Sequence, residues 1–347
     1  MPTMRRFVLK TLWILSPLLP IAALYFVFDP FCVVREHEVF FNPDDSVWVS
    51  LNADHVSTCT YDRMYPSQHY DAIIFGNSRS RYYLVEDWKK FLPQGCSPYH
   101  FDAHNESLYA LMRKVEYIER EGHPIRYALV VIDNKVLEQD KAATPHMNYI
   151  SPQLEGNTLA ARIGFQMAFF KAWFNPKFIF AYFDTRLYHK MRPYMVKDAT
   201  MMKTYPYDPK TNEEYMANEE LRIAAGTYYD EPDIKKAFSR TLHAEEVLSP
   251  VIKDSQLQQL QTIRAVFDRL GTDYHIIVSP IYIQERMNPA DIRALKNIFG
   301  DNRVHDYSGK NNISSDMHNF YEPYHYRPCA ALRIMEDIYT GSKARLH

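Results

Sequence analysis

Apolar and polar positions change rhythm several times along this 347-residue chain, and each change marks a different kind of element. Residues 11–28 form a continuous apolar run of 18 residues, preceded by Arg5, Arg6 and Lys10. As a helix the run is about 27 Å long, against a hydrocarbon core of about 30 Å. Extension back to Phe7, with Lys10 snorkelling, closes the gap. Cations before the run and Asp29 after it predict a single-pass signal anchor over 1–29, with the bulk of the chain on the extracytoplasmic side of the cell membrane. Pro17 and Pro20 are tolerated in such a helix. No small-x-small cleavage site follows, and Cys32 lies in no lipobox, so an anchor is preferred to a cleaved signal peptide.

Residues 30–70 are mixed and polar and read as a lead-in, with strand-like stretches at 38–41 and 47–51. From Asp71 the pattern becomes alternating strands and helices. Short apolar runs bounded by turn residues predict strands at 71–75, 99–101, 126–132, 274–278 and 303–307. Helical spacing predicts helices at 85–91, 108–121, 254–270, 289–299 and 328–339, the fourth opening on Pro289 and the third closing on Gly271. Strands separated by helices make an α/β three-layer sandwich around a mainly parallel central sheet, spanning 71–347. An insertion over about 138–250 interrupts it, with an aromatic helical stretch at 159–194 and then a polar, Tyr-rich region. As a lid, a surface resting on the bilayer or a plain packing subdomain, it is left open.

Composition narrows the classes. Acidic and basic residues nearly cancel, 42 against 40, so there is no nucleic-acid footprint and no polybasic tail. The 26 Tyr and 20 Phe suit ordinary packing first and the lining of a carbohydrate-binding cleft second. With only 10 glycines, Gly76 at the end of the first core strand is informative. Four cysteines leave two readings, a Cys59–Cys96 disulfide or four buried free thiols.

Polar clusters fall at the carboxyl ends of the expected strands, where open α/β sheets hold ligands. Gly76-Asn77-Ser78 presents a hydroxyl in a tight turn after the first strand. Glu322-Pro323-Tyr324-His325 places a carboxylate three residues before an imidazole, ahead of the last helix. Together they are the parts of a serine nucleophile, its base and the group that orients the base. Asp316 and His318 form a rival carboxylate–histidine pair. Arg79 and Arg81 read as contacts to an anionic substrate or as surface arginines. His305, Asp316, His318 and His325 fit no zinc spacing, so neither a metal nor a cofactor is expected. Two sequons, at Asn105 and Asn312, are common by chance.

The two motifs resemble the SGNH (GDSL-like) hydrolase superfamily, in particular its membrane-anchored branch acting on cell-envelope polymers, often beside a polytopic O-acyltransferase. Gly76-Asn77-Ser78 matches the family's nucleophile turn. Glu322-Pro323-Tyr324-His325 matches its Asp-x-x-His, with Glu in place of Asp. The resemblance covers about 71–140 and 250–340 and implies an SGNH or flavodoxin-like sheet. It implies Ser78 as nucleophile, His325 as base and Glu322 as its orienting partner, with an oxyanion held by the Ser78 N–H, Asn134 and Asn105. The expected partners are a polysaccharide or wall polymer as substrate and a polytopic membrane O-acyltransferase. The reaction class would be ester hydrolysis or acyl transfer. The family's second-block glycine is missing from 101–107, which keeps a second expectation open: a non-catalytic SGNH-like domain that binds glycan or docks onto an acyltransferase. A nucleotide-binding α/β protein is disfavoured, because Gly76-Asn77-Ser78-Arg79 lacks the repeated glycines that let backbone approach phosphates.

Overall fold

From Asp71 onward the expected core strands and their flanking helices form close to where the pattern places them. The computed structural model describes residues 18–41, 47–195, 201–203, 207–239 and 246–341, with positions 4, 6, 7, 10, 13 and 16 before them. In chain order come α1 (Leu18–Phe28), β1 (Val47–Val49), α2 (Ala53–Gln68), β2 (Ala72–Gly76), α3 (Val85–Trp88), β3 (Pro98–His100), α4 (Leu108–Arg120), β4 (Tyr127–Ile132) and α5 (Asn134–Glu138). Next are α6 (Leu159–Trp173), α7 (Pro176–Tyr188), β5 (Met201–Lys203), α8 (Ala217–Ala224) and α9 (Pro232–Ser239). The chain ends with α10 (Asp254–Leu270), β6 (Asp273–Val278), α11 (Pro289–Phe299), β7 (Val304–Asp306), β8 (Phe320–Glu322), β9 (His325–Tyr326) and α12 (Pro328–Thr340).

The five-stranded sheet has the order β3-β2-β4-β6-β7 and every pairing in it is parallel. Side chains alternate faces along each strand. Ala72, Ile74, Leu129, Val131 and Ile277 share one buried cluster with Ala330, Ala331, Ile334 and Met335 of α12. Ile73, Phe75, Val130 and Ile276, also buried, point to the opposite face. Helices α4 and α10 pack on one another, burying Leu111, Val115, Ile118, Leu260, Ile263 and Phe267. Helix α10 stops at Gly271, whose φ of 65° is the left-handed conformation a helix end favours.

The chain divides into two units, one of residues 1–55, 144–152 and 156–204, the other of 56–143, 153–155 and 205–347. The second holds the sheet. In the first, α1 packs on α6: the Trp173 indole N–H donates to the Ile21 carbonyl at 2.8 Å, and Tyr25 lies edge-on to Phe170 at 5.4 Å. Directly after α1, the buried Asp29 carboxylate accepts from the backbone of Val33 (2.8 Å), Val34 (3.0 Å) and Arg35 (3.2 Å).

Several expectations change. No strand forms at 38–41. The lead-in contains α2, whose buried face is Val56, Ser57, Thr58, Thr60 and Tyr61, so its periodicity is polar and invisible to an apolar count. The Tyr-rich region, which ends near Pro232, contains α8, and α9 follows it; Tyr228 and Phe238 belong to the sheet's core cluster. Within the 138–250 stretch, the aromatic part falls in the first unit and residues from 207 onward among those described fall in the second. The four cysteines are thiols, so Cys59 and Cys96 are not bridged, and none is buried: Cys329 is exposed and the other three are half-buried. Among the described residues no helix is long and apolar enough to cross a membrane. Helix α1 has 11 residues, and much of the expected anchor before it lies outside the described residues.

Candidate active site

The site is built where β2 ends. Gly76 has a φ of 149°, and a Cβ there would lie 2.4 Å from the Val131 carbonyl oxygen of the neighbouring strand. Only glycine lets β2 run this close to β4 and turn out of the sheet. The turn is held by Asn77, which is buried. Its Oδ1 accepts from the Arg79 N–H at 3.1 Å, and its Nδ2 donates to Asp133 Oδ2 at 2.6 Å. Asp133 also caps α5, accepting from the Val136 N–H at 2.9 Å. The hydroxyl of Ser80 lies 2.6 Å from both the Asn77 carbonyl and Asp102 Oδ2. Ser78, between these fixed neighbours, is partly exposed.

The opposing wall is the β8–β9 hairpin, antiparallel with an irregular register between Phe320 and Glu322. Its turn carries Pro323 and Tyr324, so Glu322 and His325 emerge side by side. Nε2 of His325 lies 2.6 Å from the Ser78 hydroxyl. Its Nδ1 faces Glu322 Oε1, and Glu322 Oε2 accepts from the Tyr324 N–H at 3.0 Å. With Nδ1–H donating to the carboxylate, Nε2 is the ring nitrogen left to accept the Ser78 proton. The two side chains keep about a third of their surface exposed, 32% for His325 and 35% for Glu322, so a substrate can reach them.

Arg79 ties the two walls together. It is buried, pairs with Asp133, and donates from Nε to the Tyr324 carbonyl at 2.8 Å. It is therefore neither a surface arginine nor a free substrate contact. Arg81 pairs with Glu214 at 3.0 Å, and His104 Nε2 lies 3.1 Å from the other oxygen of that carboxylate. Burial opposes the charge on Glu214, but Arg81 and His104 outweigh it and hold the carboxyl down at about 2. Behind the turn, His100 is enclosed by Asp102 (3.1 Å) and Glu213 (3.7 Å). Burial again opposes the charge, yet the two carboxylates raise the imidazole to about 9.

The remaining sequence candidates lie elsewhere or are engaged. Asp316 and His318 bond to each other at 3.0 Å on the surface, with His318 against the Tyr229 ring, and His325 rather than His318 faces Ser78. The Ser78 N–H donates to the His104 carbonyl at 3.3 Å, and the Asn134 amide donates to Glu138 at 2.7 Å within α5. Asn105 is exposed. Among the described residues no group of three or more His, Cys, Asp or Glu is placed to hold a metal ion. Sequence reasoning missed Asp133, taking Asn134 beside it; its place at the exit of the strand next to β2 was the available signal. No known family's sequence profile matches this chain, and no curated protein matches it either.

Proposed function

We propose that this protein is a membrane-anchored, SGNH-like serine esterase or O-acyltransferase. On this reading it acts outside the cytoplasm on acyl esters, acetyl foremost, of an envelope or extracellular polysaccharide. The observation that carries the chemistry is the alignment of Ser78 Oγ, His325 and Glu322, with Oγ 2.6 Å from Nε2. His325 takes the hydroxyl proton as Oγ attacks the acyl carbonyl carbon, and Glu322 stabilises the imidazolium. The tetrahedral oxyanion collapses to an acyl-serine as His325 passes the proton to the departing sugar hydroxyl. Water then completes hydrolysis, or a second hydroxyl completes transfer. The Ser78 N–H reaches the oxyanion by releasing the His104 carbonyl, a bond already long at 3.3 Å. The apolar run at 11–28, with its flanking cations, supports the anchor. The motifs Gly76-Asn77-Ser78 and Glu322-x-x-His325 support the SGNH likeness and, through it, an envelope polymer and a polytopic acyltransferase partner.

A second reading, a glycan-binding or docking domain without turnover, is favoured by the engaged Asn134 amide and Ser78 N–H. Acetyl release from O-acetylated polysaccharide, or transfer to it from an activated acetyl ester, separates the two. Turnover by the full chain that disappears in Ser78→Ala supports catalysis; equal signals from both proteins overturn it.

A further inference from the structure

Helices α6 and α7 form an antiparallel hairpin in the same unit as α1, and its outer surface is out of keeping with water. Helix α6 (Leu-Ala-Ala-Arg-Ile-Gly-Phe-Gln-Met-Ala-Phe-Phe-Lys-Ala-Trp) is apolar almost all the way round. Such a helix is ordinarily enclosed on every side, by a core or by lipid. Here Phe165, Phe169 and Trp173 are buried while Ile163 is 54% and Met167 57% exposed. On α7, Phe178, Ala181 and Tyr182 face inward, and Phe180 is 65% and Leu187 72% exposed. Helix α1 has the same character, with Phe26 and Val27 exposed. These faces are continuous, because Phe26 lies 6.0 Å from Phe170.

Charge indicates what covers them. Residues 159–192 carry six basic side chains (Arg162, Lys171, Lys177, Arg186, Lys190, Arg192) and one acidic one, Asp184, in a chain whose net charge is −2. Apolar faces bordered by cations suit the boundary between acyl chains and anionic headgroups. The contacts also set the depth. Trp173 at the hairpin tip reaches Ile21, and Phe183 on the returning helix packs on Phe28 at 5.4 Å. The tip thus lies alongside the body of α1, about two helical turns closer to the N-terminus than Phe28. We propose that the α6–α7 hairpin is a second membrane element, dipping into an anionic bilayer beside α1, with Met167, Phe170, Phe174 and Phe180 among the acyl chains. It does not depend on the reading of Ser78.

The test places p-benzoylphenylalanine at Met167, at Phe180 and, as a control, at the exposed Gln258 of the full chain. The protein is reconstituted in vesicles of equal phosphatidylcholine and phosphatidylglycerol and irradiated. Phospholipid adducts at 167 and 180, and none at 258, are expected by mass spectrometry. Cross-links at 167 and 180 to another protein chain, or lipid adducts no more frequent than at 258, would overturn the proposal. Protein that fails to float with the vesicles at all would defeat both the hairpin and the anchor; flotation without adducts would defeat the hairpin alone.

Discussion

Arg79 and Tyr324 are joined by a 2.8 Å hydrogen bond that spans the candidate active site, from the residue after the serine to the residue before the histidine. The donor is the side chain of Arg79, which is buried and paired with Asp133, and Asp133 in turn accepts from Asn77. One guanidinium thereby links the Ser78 turn, the end of β4 and the hairpin that carries His325.

Breaking that link should misplace the base rather than remove it. Arg79→Lys keeps the charge but loses the fork that satisfies Asp133 and Tyr324 together. A fall in kcat of about 10–100-fold with little change in KM is expected. Asp133→Asn leaves Arg79 buried and unpaired, at a cost of about 3–5 kcal/mol by chemical denaturation. Unchanged kcat in Arg79→Lys would show that the guanidinium does not position the site.

The two histidine pairs should separate cleanly. His325→Ala removes the group next to Ser78 and should lower kcat by about 10³-fold or more. Glu322→Gln should also lower kcat, through loss of the tautomer and of imidazolium stabilisation. His318→Ala alters an exposed pair away from the serine and should leave kcat within about twofold. Steady-state kinetics on one ester substrate compares all three.

Gly76→Ala should be costly for a side chain of one carbon. The added methyl meets the Val131 carbonyl oxygen, and the backbone has a φ of 149°. A loss of about 1–3 kcal/mol from overpacking alone is expected, read as a lowered denaturation midpoint. A wild-type midpoint would mean that β2 and β4 are not this close.

The enclosed His100 gives a pH signature with a defined sign. Its pKa rises from 6.5 unfolded to about 9 folded. Its contribution to stability is therefore complete below the unfolded value and is lost as pH climbs through the folded one. Denaturant midpoints should fall between about pH 7 and about pH 10, and His100→Gln should flatten that fall. An equal fall in both proteins would place its origin elsewhere.

The sheet was legible because its strands are buried on both faces: the apolar run at 71–75 lies within one residue of Ala72–Gly76. Helix α2 was not, since small polar residues such as Ser57, Thr58 and Thr60 fill its buried face and Pro66 sits inside it. Arg79 was read as a substrate or surface arginine, because burial of a charge depends on a partner, Asp133, that sequence proximity does not reveal. The pairing of Ser78 with His325 was legible in the two motifs, and their side chains meet in the structure. The choice of His325 over His318 needed the β8–β9 hairpin, whose turn aims one imidazole at the serine and leaves the other outside.

Covalent capture decides whether Ser78 is an activated nucleophile. The full chain is treated with a serine-directed fluorophosphonate and the adduct is mapped by peptide mass spectrometry, alongside Ser78→Ala and His325→Ala. A single adduct on Ser78, absent from Ser78→Ala and strongly reduced in His325→Ala, is the expected result. Undiminished labelling in Ser78→Ala, or no labelling of the folded wild-type chain, would contradict it.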